Sequence, residues 1–274
     1  MTETVAPVRI TEVSAGYWRV TFDNPPLNLV DAALFTGLQE VLARIEASDD
    51  LRVVVFESAD EDYFLAHFDM SGEATPAVRA AGPSGLPGVP DLVTRLARSP
   101  VVSMAKIRGR VRGLGSEFVL ACDMRFASRE RAVLGQPEVG AGVTPGGGGT
   151  EWLPRLVGRG RALEIILGAD DFDAETAERY GYVNRAVPDV ELDAFVDNLA
   201  RRIASFGRKP LALAKSLVNR GSIPPDEELV EGGTAFNTAL TWPETRERVG
   251  DLLGRGLNRP GDVELDLGRH VGPR

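Results

Sequence analysis

Glu117, in Gly113-Leu-Gly-Ser-Glu117, and Glu138, in Gln136-Pro-Glu138, each stand beside a glycine-rich turn, and Pro145-Gly-Gly-Gly-Gly-Thr150 comes directly after. Two carboxyl groups can divide acid and base work when their surroundings set their proton affinities apart. Glycine permits tight turns and close approach of backbone to a ligand, which leaves amide hydrogens free to bind developing negative charge. On residue type alone the blander reading comes first: Glu117 complements a helix dipole from its first turn, and Glu138 is an ordinary loop acid. The run Gly146 to Gly149 lacks the Lys-Ser/Thr ending of a phosphate-binding loop, so it reads as a tight turn shaping a pocket.

The elements that must hold these residues follow from periodicity. Trp18, Val20 and Phe22 alternate with polar residues as in a half-buried strand, which Asn24-Pro-Pro26 ends. Asp31 is placed to N-cap a helix whose apolar stripe is Leu34, Leu38, Val41, Leu42 and Ile45. Val53 to Phe56 is a continuous apolar run, the pattern of a parallel strand buried on both faces. Val101 to Ala105 reads as a strand leading into the first glycine turn. A helix over Ser116 to Cys122 opens at that turn, with its free amides beside Gly113-Leu-Gly115, and Met124 to Ala127 forms another strand.

Gly72 to Pro90, rich in Gly, Pro, Ala and Ser, predicts a long loop or poorly ordered cover, with a short helix after it around Leu92 to Ala97. Beyond Thr150 the pattern is mostly helical, over Arg161 to Leu167, Ala174 to Tyr180, Leu192 to Ser205, Leu211 to Val218 and Glu227 to Leu240. Strands early and helices late predict an α/β core over residues 1–206 and a C-terminal helical region and tail over 207–274. The tail from Asn258 is expected to be extended or to wrap a neighbouring subunit.

With 274 residues, 43% of them hydrophobic, the chain can bury a sizeable core. Its net charge of -9, with no Lys/Arg stripe, argues against nucleic acid and for small molecules or other protein chains as partners. The single cysteine, Cys122, excludes an intramolecular disulfide and reads as a buried structural thiol. No cluster of ligands suggests a metal. No apolar stretch approaches the roughly 20 residues of a membrane span. The start Met1-Thr-Glu-Thr lacks a signal-peptide layout, so a cytoplasmic location is expected.

From about Trp18 to Arg220 the chain closely resembles the crotonase superfamily, the enoyl-CoA hydratase/isomerase family. The blocks that carry the resemblance are Asn24-Pro-Pro-Leu-Asn28, Phe64-Leu-Ala-His-Phe-Asp69, Gly109 to Asp123 and Gly135 to Thr150, the last two highly specific in order and spacing. The resemblance implies an α/β fold, a spiral of ββα repeats with C-terminal helices that mediate trimerisation, giving a homotrimer or homohexamer. It implies an oxyanion hole of the Ala66 and Leu114 amides, with Glu117 activating water for the β-carbon and Glu138 supplying a proton to the α-carbon. His67, Phe68, Gly113, Pro145 and Gly146 would line the substrate pocket.

The implied activity is that of an enoyl-CoA hydratase-like lyase in fatty acid metabolism, with a coenzyme A thioester as substrate and no permanently bound cofactor. An isomerase, decarboxylase or C–C hydrolase, or a catalytically silent acyl-CoA-binding or assembly protein, are the rival readings. The sequence departs from the family pattern at His67 and Leu114, where glycine is common; the latter is tolerable if its φ stays negative. Arg108, Arg110 and Arg112 either pair with acids or face solvent, or one of them contacts a phosphate or substrate carboxylate. The basic residues often found near Asn24 to Asn28 and after Met70 are absent, which leaves phosphate contacts unassigned.

Overall fold

The computed structural model describes residues 6–72 and 75–273. Its strands are β1 (Val8–Ser14), β2 (Tyr17–Phe22), β3 (Val53–Ser58), β4 (Tyr63–Leu65), β5 (Val102–Ile107), β6 (Arg110–Arg112), β7 (Met124–Ser128), β8 (Val133–Gly135), β9 (Asp171–Asp173) and β10 (Arg185–Val187). The helices through the core are α1 (Ala32–Ala47), α2 (Thr75–Arg79), α3 (Gly88–Arg98), α4 (Leu114–Ala121), α5 (Gly149–Val157), α6 (Arg159–Gly168) and α7 (Ala174–Tyr180). The C-terminal helices are α8 (Asp189–Ala204), α9 (Arg208–Asn219), α10 (Asp226–Ala239), α11 (Pro243–Arg255), α12 (Asp262–Leu265) and α13 (Leu267–Val271).

Successive strands divide between two sheets. β3, β5 and β7 join a larger sheet of order β1-β2-β3-β5-β7-β10, while their partners β4, β6 and β8 stack in a smaller sheet, β4-β6-β8-β9. Helix comes after each pair, so the chain advances as a spiral of ββα turns, the architecture the resemblance implies. Within the larger sheet every pairing from β2 to β10 is parallel, which is why Val53 to Phe56 is apolar throughout and buried. α1 forms as expected: the Asp31 carboxylate accepts the Leu34 amide at 2.8 Å, and the predicted stripe is buried together with Phe35.

Two expectations are corrected. Gly72 to Pro90 is not one long loop, because it contains α2 and the start of α3. Its turn is organised by Asp91, a fully buried carboxylate that accepts the Ser84 amide at 2.8 Å and pairs with Arg95 at 3.1 Å. Residues 73–74 of that stretch lie outside the described residues. The tail from Asn258 is neither extended nor reaching outward: it forms α12 and α13 and folds back on its own chain. Val263, Leu267 and Val271, four residues apart, pack with Ala169, Leu252 and Leu257.

The small sheet sets where three site-bearing segments begin. β4, β6 and β8 run parallel with Leu65, Val111 and Leu134 in register, so the segments starting at residues 66, 113 and 136 leave from one edge. α4 then passes so close to β4 that a Cβ on Gly115 would lie 2.4 Å from the Leu65 carbonyl oxygen. That approach requires glycine. Gly115→Ala should therefore destabilise the protein by about 1–3 kcal/mol through overpacking, measured as a lowered midpoint in urea denaturation.

Candidate active site

Glu117 lies in the first turn of α4, and Glu138 stands three residues beyond β8. Both side chains are buried, and both line one cavity of about 220 Å³ with Phe68, Leu114, Gly146, Gly147 and Phe236. Glu117 Oε1 accepts the amides of Gly147 and Gly149, each at 2.8 Å. The predicted tight turn is thus the clamp on this carboxylate, and Gly148 within it takes the left-handed conformation, φ 112°. Glu138 Oε2 is buried and receives no hydrogen bond among the described residues.

This difference in partners divides the two acids. Burial raises the Glu117 carboxyl to about 7; the Gly149 and Gly147 amides oppose the rise and nearby Glu151 adds to it. Burial also raises Glu138, and the negative charge of Glu117 adds to the effect, placing it well above the ordinary range with little to stabilise its anion. Near neutral pH the arrangement favours one ionised and one protonated carboxyl in a shared pocket. That is an acid and a base.

Leu114 opens α4, so its amide is among those a helix leaves without an internal partner. Gly113 before it has φ 49°, while Leu114 is not among the residues with positive φ, and the larger side chain is accommodated. The second amide needs a correction. The Ala66 N–H donates to the Asn28 carbonyl at 3.2 Å, and the Ala66 side chain packs with Leu27 and Tyr63 away from the cavity. Phe68 is the better donor. It faces Val30 in a parallel bridge whose two bonds are made by the Val30 and Asp69 amides, so the Phe68 N–H takes no part in them, and Phe68 lines the cavity beside Leu114.

Of the other sequence-predicted pocket residues, Phe68 and Gly146 line the main cavity. His67 and Gly113 line a smaller apolar one of about 50 Å³ beyond Glu138, closed by Leu252, Leu257, Leu267 and Val271. Pro145 lines neither; it backs Gly149. The three arginines are not available to a ligand in this cavity. Arg108 pairs with Asp189 at 2.7 Å and Asp193 at 2.9 Å. Arg110 donates to the Leu265 carbonyl, and buried Arg112 pairs with Asp171 at 2.6 Å. The reading in which they pair with acids is the one the geometry supports.

Sequence reasoning missed Phe236, which meets Phe68 edge to face with centroids 6.2 Å apart, and Arg79, an exposed cation at the cavity. It also missed Glu264, whose carboxylate reaches His67. Only the i, i+4 apolar spacing after Asn258 hinted that this tail would fold back. Cys122 is buried, and burial pushes its thiol up to about 12, as befits an inert core residue.

Comparison with known proteins gives a consistent picture. The family model for enoyl-CoA hydratase/isomerase matches residues 12–240. A short-chain-enoyl-CoA hydratase of Clostridium acetobutylicum is 35% identical over 235 residues, covering 84% of this chain and 88% of that protein. A crotonyl-CoA hydratase of Syntrophomonas wolfei is 32% identical over 207 residues, covering 74% and 77%. A solved structure from Streptomyces avermitilis superposes with a TM-score of 0.93 at 43% identity, covering 100% of this chain and 99% of its own.

The electrostatics of Glu117 yield a stability test. Its folded-state affinity is raised from 4.5 to about 7, so its favourable contribution is complete below about 4.5 and is lost as pH rises through about 7. Glu117→Gln removes that loss. Its stability relative to the unsubstituted protein should increase between pH 5 and pH 9, by an amount on the order of 3 kcal/mol, read from thermal unfolding at each pH.

Proposed function

The chain belongs to the enoyl-CoA hydratase/isomerase family of enzymes, and from that premise we propose that it adds water to, or removes it from, an α,β-unsaturated acyl-CoA. The observation that carries this reading is the pair of carboxyls with separated proton affinities lining one cavity at the N-terminus of α4. Glu117, as the ionised group, takes a proton from water as its oxygen attacks the β-carbon. The thioester carbonyl becomes an enolate oxygen, held by the Leu114 and Phe68 amides. Glu138, as the protonated group, delivers its proton to the α-carbon. The carbon–oxygen bond and the carbon–hydrogen bond form on the face of the double bond that both acids share.

The apolar cavity beyond Glu138 is small, which supports a short acyl chain as substrate. Coenzyme A enters as part of that substrate, and Arg79 at the cavity rim is the candidate for its phosphates. α9 buries none of its residues and leaves Leu213, Leu217 and Val218 exposed, which supports packing against further copies as a trimer or hexamer. No helix among the described residues is long and apolar enough to cross a membrane. The likeness to a short-chain-enoyl-CoA hydratase and a crotonyl-CoA hydratase supports an enzyme of fatty acid metabolism.

Purified protein should hydrate crotonyl-CoA, monitored as loss of enone absorbance, and Glu117→Gln or Glu138→Gln should each lower kcat by about 10²- to 10⁴-fold. The kcat/KM profile should rise through pH about 7 as Glu117 ionises and fall at higher pH as Glu138 loses its proton; Glu138→Gln should abolish the alkaline fall in the residual activity. Protein that binds crotonyl-CoA but leaves it unhydrated would move the reading to double-bond isomerisation.

Arg79→Ala should raise KM by about two- to fivefold with kcat unchanged, the scale of an exposed ion pair, and the effect should fade in high salt. An unchanged KM at low salt would remove Arg79 from the phosphate site.

A further inference from the structure

His67, which lines the smaller cavity, and Glu264 behind it join the early and late parts of the chain. The imidazole is 5% exposed and the Glu264 residue 0%. His67 Nε2 lies 3.0 Å from Glu264 Oε1 and 3.2 Å from Oε2, while Nδ1 lies 2.7 Å from the Phe68 carbonyl oxygen. A carbonyl can only accept, and so can an ionised carboxylate. Both ring nitrogens must then donate, which makes the ring an imidazolium. The hydratase reading gives this cation no role, yet it belongs to the residue immediately before the Phe68 amide.

The connection is wider than one pair. Glu264 Oε1 also accepts the Asn258 amide at 2.6 Å, and the Asn258 side chain donates to Asp69 at 2.6 Å. Arg112 donates to the Glu264 carbonyl at 2.7 Å, and Arg110 to the Leu265 carbonyl at 2.8 Å. One short stretch, residues 258–265, therefore grips both the 67–69 segment and β6, the strand that leads to Leu114. These are the two segments that must present their amides to one oxygen.

We propose that the His67–Glu264 ion pair is a positioning device for the oxyanion site: Glu264 holds His67 as an imidazolium, which anchors Phe68 by its carbonyl, next to the amide it presents, and places positive charge beside the developing enolate. This rests on the enolate reading of the cavity given under the proposed function. The charged groups around the imidazole are Glu264 from α12 and Arg112 from β6, Glu138 across Gly113, and, on its own segment, Asp69, which reaches Glu264 through Asn258. A Cβ on Gly113 would sit 2.9 Å from Glu138 Oε1 and 3.4 Å from His67 Cβ. Asp171 of β9 neutralises Arg112. Burial pushes the imidazole down, but the charge and hydrogen bond of Glu264 outweigh it, with help from the Phe68 carbonyl, and the net shift is upward. Burial pushes Glu264 up, but His67, the Asn258 amide and Arg112 together more than reverse it.

The chain has two histidines, so His270→Asn leaves one imidazole whose ring carbons can be tracked by NMR against pH. His67 in that variant should titrate above the ordinary 6.5, and adding Glu264→Gln should lower its midpoint. Glu264→Gln alone should lower kcat for crotonyl-CoA about tenfold at unchanged KM, less than the ~10² for loss of an oxyanion donor outright. Its residual kcat should fall further as pH rises through the new midpoint, whereas a purely structural loss would be the same at every pH. Glu264→Asp, which keeps the charge, should recover part of the loss. A neutral His67 ring at pH 7 in His270→Asn, or kcat unaffected by Glu264→Gln, overturns the proposal. A protonated His67 in a protein without hydratase activity supports the ion pair and sinks the hydratase reading alone.

Discussion

Two carboxyl groups that would both carry charge are buried at one cavity, and the surrounding backbone is arranged to resolve that conflict. Burial alone raises the proton affinity of both, and the charge of ionised Glu117 raises that of Glu138 further. Two equal acids would compete for the same role. The symmetry is broken by backbone: Glu117 receives two amides from the glycine turn, and Glu138 Oε2 receives none among the described residues. A hydrogen bond to a charged group contributes about 1.5–3 kcal/mol, and one unit of proton affinity corresponds to about 1.4 kcal/mol. Two such bonds are therefore enough to set neighbouring carboxyls apart by units. The glycines serve this division because only residues without side chains bring their amides so near.

The same constraint explains why the C-terminal segment belongs to the site. An oxyanion site needs two amides from separate segments held in fixed relation, and hydrogen bonding within the small sheet ends before either donor. Residues 258–265 supply the missing connection from outside the sheet, through charges and carbonyls that are buried or nearly so. A buried ion pair adds little net stability but is costly to break from one side, so it fixes geometry more than it strengthens the fold. Arg110 and Arg112 take part in this framework, while Arg108 is held by Asp189 and Asp193 of α8, so all three are engaged where a ligand-binding role was one expectation.

The features legible in the sequence are those that depend on near neighbours. The Asp31 cap, the α1 stripe, the apolar run of β3 and the spacing from Gly113 to Glu117 all act within a few residues, and the structure has them. The features that were not legible depend on partners far along the chain. Ala66 and Phe68 lie two residues apart in one motif, and only pairing with Asn28 and Val30 decides which amide is taken. Glu264 stands 197 residues from His67, and Arg108 is 81 residues from Asp189. The stretch after Gly72 looked unstructured by composition because the Asp91 carboxylate that organises it belongs to the next helix.

Leu114 shows how a departure from a family pattern can be absorbed without losing its chemistry. The amide, not the side chain, is what an oxyanion needs, and the helical backbone keeps that amide in place while the leucine turns toward the cavity. Space for it comes from the opposite turn. A Cβ on Gly147 would lie 2.8 Å from Leu114 Cδ1 and 2.6 Å from Glu117 Oε2. The absence of a side chain at 147 therefore answers two demands at once: it admits the leucine, and it lets the 147 amide reach the base. Positions 114, 117 and 147 are one coupled unit, in which the larger residue at 114 is tolerated only because 147 is already held to glycine by Glu117.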